Sequence, residues 1–187
     1  TRLPMQFERE KTLLALSEKS DLNRMEEGAD RRIGFVASGP AYMHVREAFP
    51  DAPVLKLGFS CPAPIEKIRA FAARVDQLLV VEETEPLLEL EIKAAGIAAH
   101  GKDVLPRSGE LAPKVLRPAV AKLLGETHVP PAEAAPRAAL EVFPRPPTMC
   151  VACPHLGVYY TLHQMRNLII SGDIGCYTLG AGHPWNA

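Results

Sequence analysis

Residues 33–40 read IGFVASGP, and this stretch decides the fold that we expect for the first two thirds of the chain. An uncharged apolar strand ends in a Ser-Gly-Pro turn, and a helical pattern follows over residues 41–49. Two further apolar strands, residues 54–57 and 78–82, are each followed by a helix that begins at a proline. Continuously apolar strands that alternate with helices are typical of a parallel sheet covered on both faces. We therefore predict an α/β domain over residues 31–126, with a doubly wound, mostly parallel sheet.

The parts around these three strands are less regular. Residues 1–30 are polar and predict a lead-in helical segment without a core of its own, packed on other sequence. Val104 suggests a short fourth strand, and residues 111–124 predict a helix interrupted at Pro118. Cys61 is expected to be a buried free thiol.

The loops at the carboxyl ends of the three strands are candidates for functional groups, because ligands of open α/β sheets bind at that edge. These loops are Ser38-Gly39, Gly58-Phe59-Ser60 and Glu82-Glu83-Thr84. The acidic run at the third strand is more often a solvated strand end than a site.

Composition excludes several classes of protein. A net charge of −1 and a pI near 6.6 provide no basic excess for phosphates, so we expect no nucleic-acid partner. The sequence contains no apolar run of about 18 residues, which predicts no membrane partner. Four cysteines in an α/β chain favour metal or redox chemistry in a reducing compartment, and the cytoplasm is the default. The start at Thr1 and the absence of a signal peptide predict an internal fragment.

Residues 127–148 contain six of the 18 prolines and predict an extended, semi-rigid linker. A second domain is expected to begin at residue 149, and residues 149–187 would be only its opening. Within it, the pattern predicts a helix at residues 157–166 and a strand at residues 168–171.

Three cysteines after the linker form a possible ligand set. Cys150 and Cys153 stand in a C-x-x-C turn that can direct both sulfurs at one soft ion, and Cys176 follows later. One interpretation is an iron–sulfur cluster whose fourth ligand lies beyond residue 187. A second is a zinc knuckle completed by His155, and a third is that these cysteines bind no metal. A thioredoxin-like dithiol is disfavoured, and a shared site requires all three sulfurs to converge.

The turn after the predicted second-domain strand is the other candidate site. Its glycines permit positive φ and a close approach of backbone N–H groups to an anion such as a pyrophosphate. Asp173 is a possible Mg²⁺ ligand, although capping of the following turn explains it equally well. The residues that we assign to this candidate cofactor-binding turn are Asp173, Ile174, Gly175, Cys176, Tyr177 and Thr178.

Taken together, these motifs resemble a known family. The strings CVACPH at residues 150–155 and GDIGCYTLG at residues 172–180 are similar to those of the large (alpha) subunit of indolepyruvate:ferredoxin oxidoreductase. That enzyme is a branch of the thiamine-diphosphate-dependent 2-oxoacid:ferredoxin oxidoreductases. Residues 33–49 resemble a strand segment of its middle domain, and residues 56–58 and 80–83 resemble the two strands that follow, so the likeness covers nearly the whole chain.

The resemblance implies a domain like the C-terminal domain of transketolase for residues 31–126 and a truncated thiamine-binding domain for residues 149–187. It also implies oxidative decarboxylation of aryl 2-oxoacids to acyl-CoA, with electrons passed to ferredoxin. Thiamine diphosphate, Mg²⁺ and a 4Fe-4S cluster would be the cofactors, and a smaller beta subunit the partner. Cys150, Cys153 and Cys176 would lie at the cluster. The fragment alone is expected to be inactive, and the alternative is a non-catalytic subunit-docking domain with a structural zinc knuckle.

Overall fold

The computed structural model describes residues 2–130, 143–144 and 146–186. The chain divides into two compact units, a first unit of Thr1–Ala132 and a second unit of Glu133–Ala187. The linker predicted for residues 127–148 spans this division, but its residues 131–142 and 145 lie outside the described part. The linker and the domain boundaries therefore stay predictions.

The first unit alternates strands and helices in the order expected for an α/β fold. Its elements are α1 (Leu3–Lys19), β1 (Asn23–Glu26), β2 (Gly34–Ser38), α2 (Gly39–Ala48), β3 (Val54–Leu57), α3 (Ile65–Ala72), β4 (Leu78–Val81), α4 (Leu87–Ala94) and α5 (Pro113–Leu123). The described residues of the second unit form two helices, α6 (His155–Gln164) and α7 (Cys176–Ala181).

The four strands form one mixed sheet in the order β1-β3-β2-β4. Strand β2 is parallel to β3 and to β4, and Val36 pairs with Leu55 on one side and with Val80 on the other. The parallel arrangement of the three predicted strands is confirmed. Strand β1 pairs antiparallel with β3 and was not predicted, because its sequence NRME lacks apolar alternation. The α/β class is thus established, whereas the likeness to transketolase remains a prediction.

Both faces of the sheet are buried under helices. On one face, Phe35 and Leu79 pack in a cluster with residues of α2 and α5. On the other face, Val36 and Leu55 pack with residues of α3 and α4. All four of these strand residues are 0% exposed. Each such side chain contributes about 1.5–3 kcal/mol of burial free energy, so the apolar strands stabilise this unit from both sides.

Helix α1 is attached to the sheet by polar contacts at its C-terminal end. Ser17 is its one buried residue. Asn23 Nδ2 donates to the carbonyl oxygens of Ser17 at 3.0 Å and Phe59 at 2.7 Å, and Asn23 Oδ1 accepts the N–H of Phe59 at 2.8 Å. The Glu18 carboxylate accepts two N–H groups at the start of α3. Helix α1 is therefore positioned by a buried amide and a helix cap rather than by apolar packing.

Three local predictions are wrong. Val104 lies in a turn, because its N–H donates to the carbonyl of Gly101, and His100 makes the short parallel bridge to Leu79. Cys61 is free as expected but exposed. Residues 168–171 form no strand, since no other strand is present in the described part of the second unit to complete their hydrogen bonds. Among the described residues, no helix has the length and apolar character needed to cross a membrane.

Candidate functional site

The loops at the carboxyl edge of the sheet use their polar groups to hold the first unit together. The Phe59 backbone binds Asn23, as described above. The Glu82 carboxylate accepts the N–H groups of Leu88 at 3.0 Å and Glu89 at 2.9 Å, and it therefore caps α4. The acidic run predicted at this edge thus begins with a structural carboxylate.

The C-x-x-C segment forms a tight turn before α6. The Cys153 N–H donates to the Cys150 carbonyl oxygen at 3.1 Å, and Ala152 has a positive φ of 58°. Cys153 Sγ lies 3.3 Å from Nδ1 of His155, the first residue of α6. The turn therefore pairs a half-buried thiol with an imidazole, while Cys150 remains exposed.

The predicted cofactor-binding turn leads into α7. Gly175 has a φ of 127°, in the region that favours glycine, and Cys176 is the first residue of the helix. Asp173 Oδ1 accepts the N–H of Ile174 at 2.7 Å. The carboxylate therefore binds within its own turn in this structure, and it does not cap α7, whose N-cap is Gly175 without a side-chain hydrogen bond.

Helices α6 and α7 meet where Tyr159 packs on Gly180. Tyr159 is 5% exposed, and Gly180 is also buried. A Cβ atom on Gly180 would overlap the Tyr159 ring, so this contact requires glycine. At the beginning of the two helices, the rings of His155 and Tyr177 lie edge to face with centroids 6.0 Å apart. Because Cys153 contacts His155 and Cys176 precedes Tyr177, both thiols belong to the same end of the helix pair.

Tyr159 is the residue at this site that the sequence did not predict. Burial raises the pKa of Tyr159, and the negative charges that three neighbours can carry raise it further; these neighbours are Tyr177, Cys176 and Cys153. The buried Tyr159 hydroxyl has no hydrogen-bond partner among the described residues. Its spacing from His155, four residues along one helix, is the signal that could have placed the two residues on one face.

The three predicted metal ligands are only partly brought together. All four cysteines of the chain are free, and Cys150 and Cys176 are exposed. In the described part of the chain, no three His, Cys, Asp or Glu side chains lie close enough to hold a metal ion. Thiols and an imidazole are ligand types that suit a soft metal in their chemistry. Among these candidates Cys153 and His155 are the pair in contact, so the described residues do not by themselves form a metal site.

A cavity of about 510 Å³ lies between α6, residues 170–174 and α7. Four of the six residues predicted for the cofactor line it, and the other two, Gly175 and Cys176, do not; the lining members are Asp173, Ile174, Tyr177 and Thr178. Its walls are mainly apolar, and its ionisable groups include His155, Asp173 and two tyrosines, Tyr159 and Tyr177. A cavity of this size and character can hold a small organic group.

Comparison with known proteins finds several similar sequences. Indolepyruvate oxidoreductase subunit IorA of Methanothermobacter thermautotrophicus is 35% identical over 95% of this chain and 31% of its own length. The subunit of the same name from Thermococcus kodakarensis is 35% identical over 87% of this chain and 28% of its own length. That of Archaeoglobus fulgidus is 32% identical over 88% of this chain and 29% of its own length.

The chain therefore spans about a third of the length of the curated relatives that it matches. Neither a protein-family model nor a solved structure matches it.

Proposed function

We propose that this chain, which belongs to the family of the indolepyruvate oxidoreductase subunits IorA, is part of an enzyme that oxidatively decarboxylates aryl 2-oxoacids of the indolepyruvate type. The product is the acyl-CoA, and ferredoxin accepts the electrons. Thiamine diphosphate, Mg²⁺ and a 4Fe-4S cluster are the proposed cofactors, and a smaller beta subunit is the proposed partner.

The observation that carries this proposal is the match to IorA subunits along 95% of the chain. The structure supports it in one respect. The C-x-x-C turn and the glycine turn, which lie more than 20 residues apart, begin two helices that pack on each other. Two motifs of one site would have to be neighbours in this way.

The residues of the second unit can be given roles within this proposal. The turn from Asp173 to Thr178 would hold the cofactor, because it lies beside the cavity and Gly175 allows a close backbone approach. Thiamine diphosphate, when bound, supplies the carbanion chemistry needed to decarboxylate a 2-oxoacid. The apolar walls formed by Val158 and Leu162 would keep water away from that end of the cofactor. Cys150, Cys153 and Cys176 are the proposed thiolate ligands of the cluster.

The proposed partner subunit is supported by the surface of the second unit. Ile169 is 100% exposed, Val151 99% and Ile174 91%. These side chains leave apolar surface in contact with water, and burial against other protein would be favourable. We propose that further protein of the enzyme, including the beta subunit, covers them.

Enzyme assays test the proposal at the level of the complete enzyme. A longer polypeptide that contains this chain, produced anaerobically together with its partner subunit, should reduce ferredoxin or a viologen dye with indolepyruvate and CoA. Omission of CoA or of thiamine diphosphate should abolish the reduction. Dye reduction with pyruvate but not with any aryl 2-oxoacid would contradict the proposed substrate class.

The chain by itself should show neither turnover nor tight thiamine diphosphate binding, since Asp173 is engaged in its own turn and further oxygen ligands for Mg²⁺ are needed. Calorimetry on the 187-residue chain measures this directly. Saturable micromolar binding would show that Asp173 does more than support the turn.

The alternative function is a subunit-docking domain with a structural zinc knuckle, and the contact between Cys153 and His155 favours it. Metal analysis separates the two. Brown protein with iron and sulfide supports the oxidoreductase, whereas colourless protein with one zinc ion per chain supports the docking domain.

A further inference from the structure

The carboxyl end of β2 is a place in the first unit to which the proposed function assigns no role. After β2 the chain turns into α2 on one face of the sheet, whereas β3 and β4 are followed by α3 and α4 on the other face. The strand order β1-β3-β2-β4 places β2 between these two strands, so the connections diverge at its end. In open α/β sheets, ligands bind in the crevice that such a divergence leaves.

A cavity of about 540 Å³ lies at this place, between the ends of β2 and β3. Two of the loops that the sequence marks as candidates contribute to its walls, the first with Ser38 and Gly39 and the second with Gly58 and Ser60. The Ser38 hydroxyl makes no capping hydrogen bond to α2, and it is therefore available to a ligand.

Lys56 is the one charged residue among those that line this cavity. It is also the one charged residue in the three parallel strands, GFVAS, VLKL and LLVV. Lys56 is half-buried, and its Nζ lies 5.0 Å from the centre of the Tyr42 ring. It forms no ion pair within the described part of the chain. Because partial burial of a charge without a counter-charge is unfavourable, an anion bound beside Lys56 would stabilise this arrangement.

The carboxylate of Glu26, on the neighbouring strand β1, is already engaged by other groups. It accepts the Tyr42 hydroxyl at 2.8 Å, and it pairs with Arg24 at 2.9 Å and with Arg46 at 3.6 Å. Arg24 lies directly opposite Lys56 in the register of β1 and β3. Three cations are thus grouped around one carboxylate, and the surplus of positive charge favours an anionic ligand.

The acidic residues at the end of β4 do not neutralise Lys56. They line a separate cavity on the other side of β2, between the ends of β2 and β4. Glu82 caps α4, and Glu85 pairs with Arg107. These carboxylates therefore have partners of their own.

We propose that the crevice between the ends of β2 and β3 binds a small ligand through its carboxylate or phosphate group. The Lys56 ammonium and the hydroxyls of Ser38 and Ser60 donate hydrogen bonds to the oxygens of that group. A lysine ammonium carries three N–H donors and acts as a point charge, so it suits either group. The side chain of Met43, which is 64% exposed at the cavity wall, packs on the apolar remainder of the ligand.

Titration of the isotope-labelled 187-residue chain with sodium phosphate, and separately with sodium acetate, tests the proposal by NMR. The backbone signals of Ser38, Gly39, Gly58 and Ser60 should shift and reach saturation with at least one of the two anions. A response to phosphate alone identifies a phosphate group as the ligand chemistry, and a response to acetate alone identifies a carboxylate. The absence of a saturable shift with both anions would overturn the proposal.

Two lysine variants separate binding at Lys56 from general attraction of anions. Lys56→Met removes the charge at the cavity, and Lys122→Met makes the same change at an exposed lysine of α5. Lys56→Met should weaken binding of the responding anion by about 10-fold, through the loss of a charge-assisted hydrogen bond. Lys122→Met should leave the affinity unchanged. Equal affinities in the two variants would overturn the proposal.

Two further measurements keep the test decisive if Lys56→Met does not fold, which circular dichroism would show. Lys56→Gln retains a polar side chain in the half-buried position and should show the same loss of affinity. In the wild type, the affinity for the anion should fall as sodium chloride is added, because salt screens the attraction between opposite charges. An affinity that does not respond to salt, or a folded Lys56→Gln chain that binds as the wild type does, would overturn the proposal.

Discussion

The two units of the chain differ in how much of their structure they bury. In the first unit, the central strands Gly34–Ser38 and Leu78–Val81 carry side chains that are almost completely inaccessible, and helices cover both faces of the sheet. In the described part of the second unit, only Tyr159 and Gly180 are buried, while Ile169 is fully exposed. The first unit thus contains the core that stabilises it. The second presents motifs whose geometry depends on a few contacts and on what packs against them.

Truncation of an apolar side chain should reveal the largest difference in stability between the two units. Phe35 is 0% exposed and stacks on Phe49 with ring centroids 5.0 Å apart. We expect Phe35→Ala to lower the free energy of unfolding of the first unit by about 3–5 kcal/mol, through lost burial and a cavity. The matched change Ile169→Ala should alter stability by less than about 0.5 kcal/mol. Urea unfolding followed by circular dichroism measures both, and a large effect of Ile169→Ala would mean that the second unit has a core of its own.

Loss of the Asn23 side chain tests how α1 is joined to the sheet. Asn23→Ala leaves the buried backbone groups of Phe59 without their partner, so we expect a cost of about 2–3 kcal/mol. Hydrogen exchange should show faster exchange in α1 and β1 than in β2. Ser20→Ala, at an exposed hydrogen bond in the same turn, is the control and should cost much less. Unchanged exchange in α1 would indicate that apolar contacts hold the helix.

The contact between α6 and α7 can be disrupted at a single glycine. Gly180→Ala places a Cβ atom in the ring of Tyr159, and we expect it to destabilise the helix pair by about 1–2 kcal/mol. Gly182→Ala, at a position with open space around it, should have little effect. NMR chemical shifts of Tyr159 and of the first unit report the outcome. Shift changes spread through the first unit would contradict the assignment of this contact to the second unit.

The smallest expected effect is the pH-dependent contribution of Asp103 to the stability of the first unit. Burial acts to raise the pKa of Asp103, but hydrogen bonds from His100 and from the Gly101 N–H outweigh it, so the pKa lies below its ordinary value. Asp103 therefore adds stability above an ordinary carboxyl pKa of about 4, and this stability is lost as the pH falls through the lowered value.

Because the Asp103 side chain is 47% exposed, Asp103→Asn should cost only about 0.5–1 kcal/mol at neutral pH. The difference from the wild type should shrink below about pH 4. Urea unfolding at several pH values measures it, with the exposed Asp21→Asn as control. A difference that grows on acidification would mean that folding raises the pKa of Asp103 instead of lowering it.

Much of the first unit was predictable because its signal is local. The strand at residues 33–37 and the helix at residues 41–49 follow from apolar runs, turns and prolines that lie next to one another in the chain. The structure shifts their bounds by only one or two residues. Strand β1 was missed, since its place at the sheet edge depends on pairing with β3, about 30 residues away. The strand predicted at residues 168–171 is absent for the same reason, because a strand needs a second strand to pair with.

By itself, the sequence determined the α/β class, the parallel arrangement of three strands and the resemblance to the IorA family. These follow from periodicity and from motifs that are contiguous in the chain. Only the tertiary structure decided that Cys153 contacts His155, that Glu82 caps a helix and that the buried Tyr159 hydroxyl has no hydrogen-bond partner among the described residues. Burial and hydrogen bonding depend on which distant segments meet, and residue spacing alone does not contain that information.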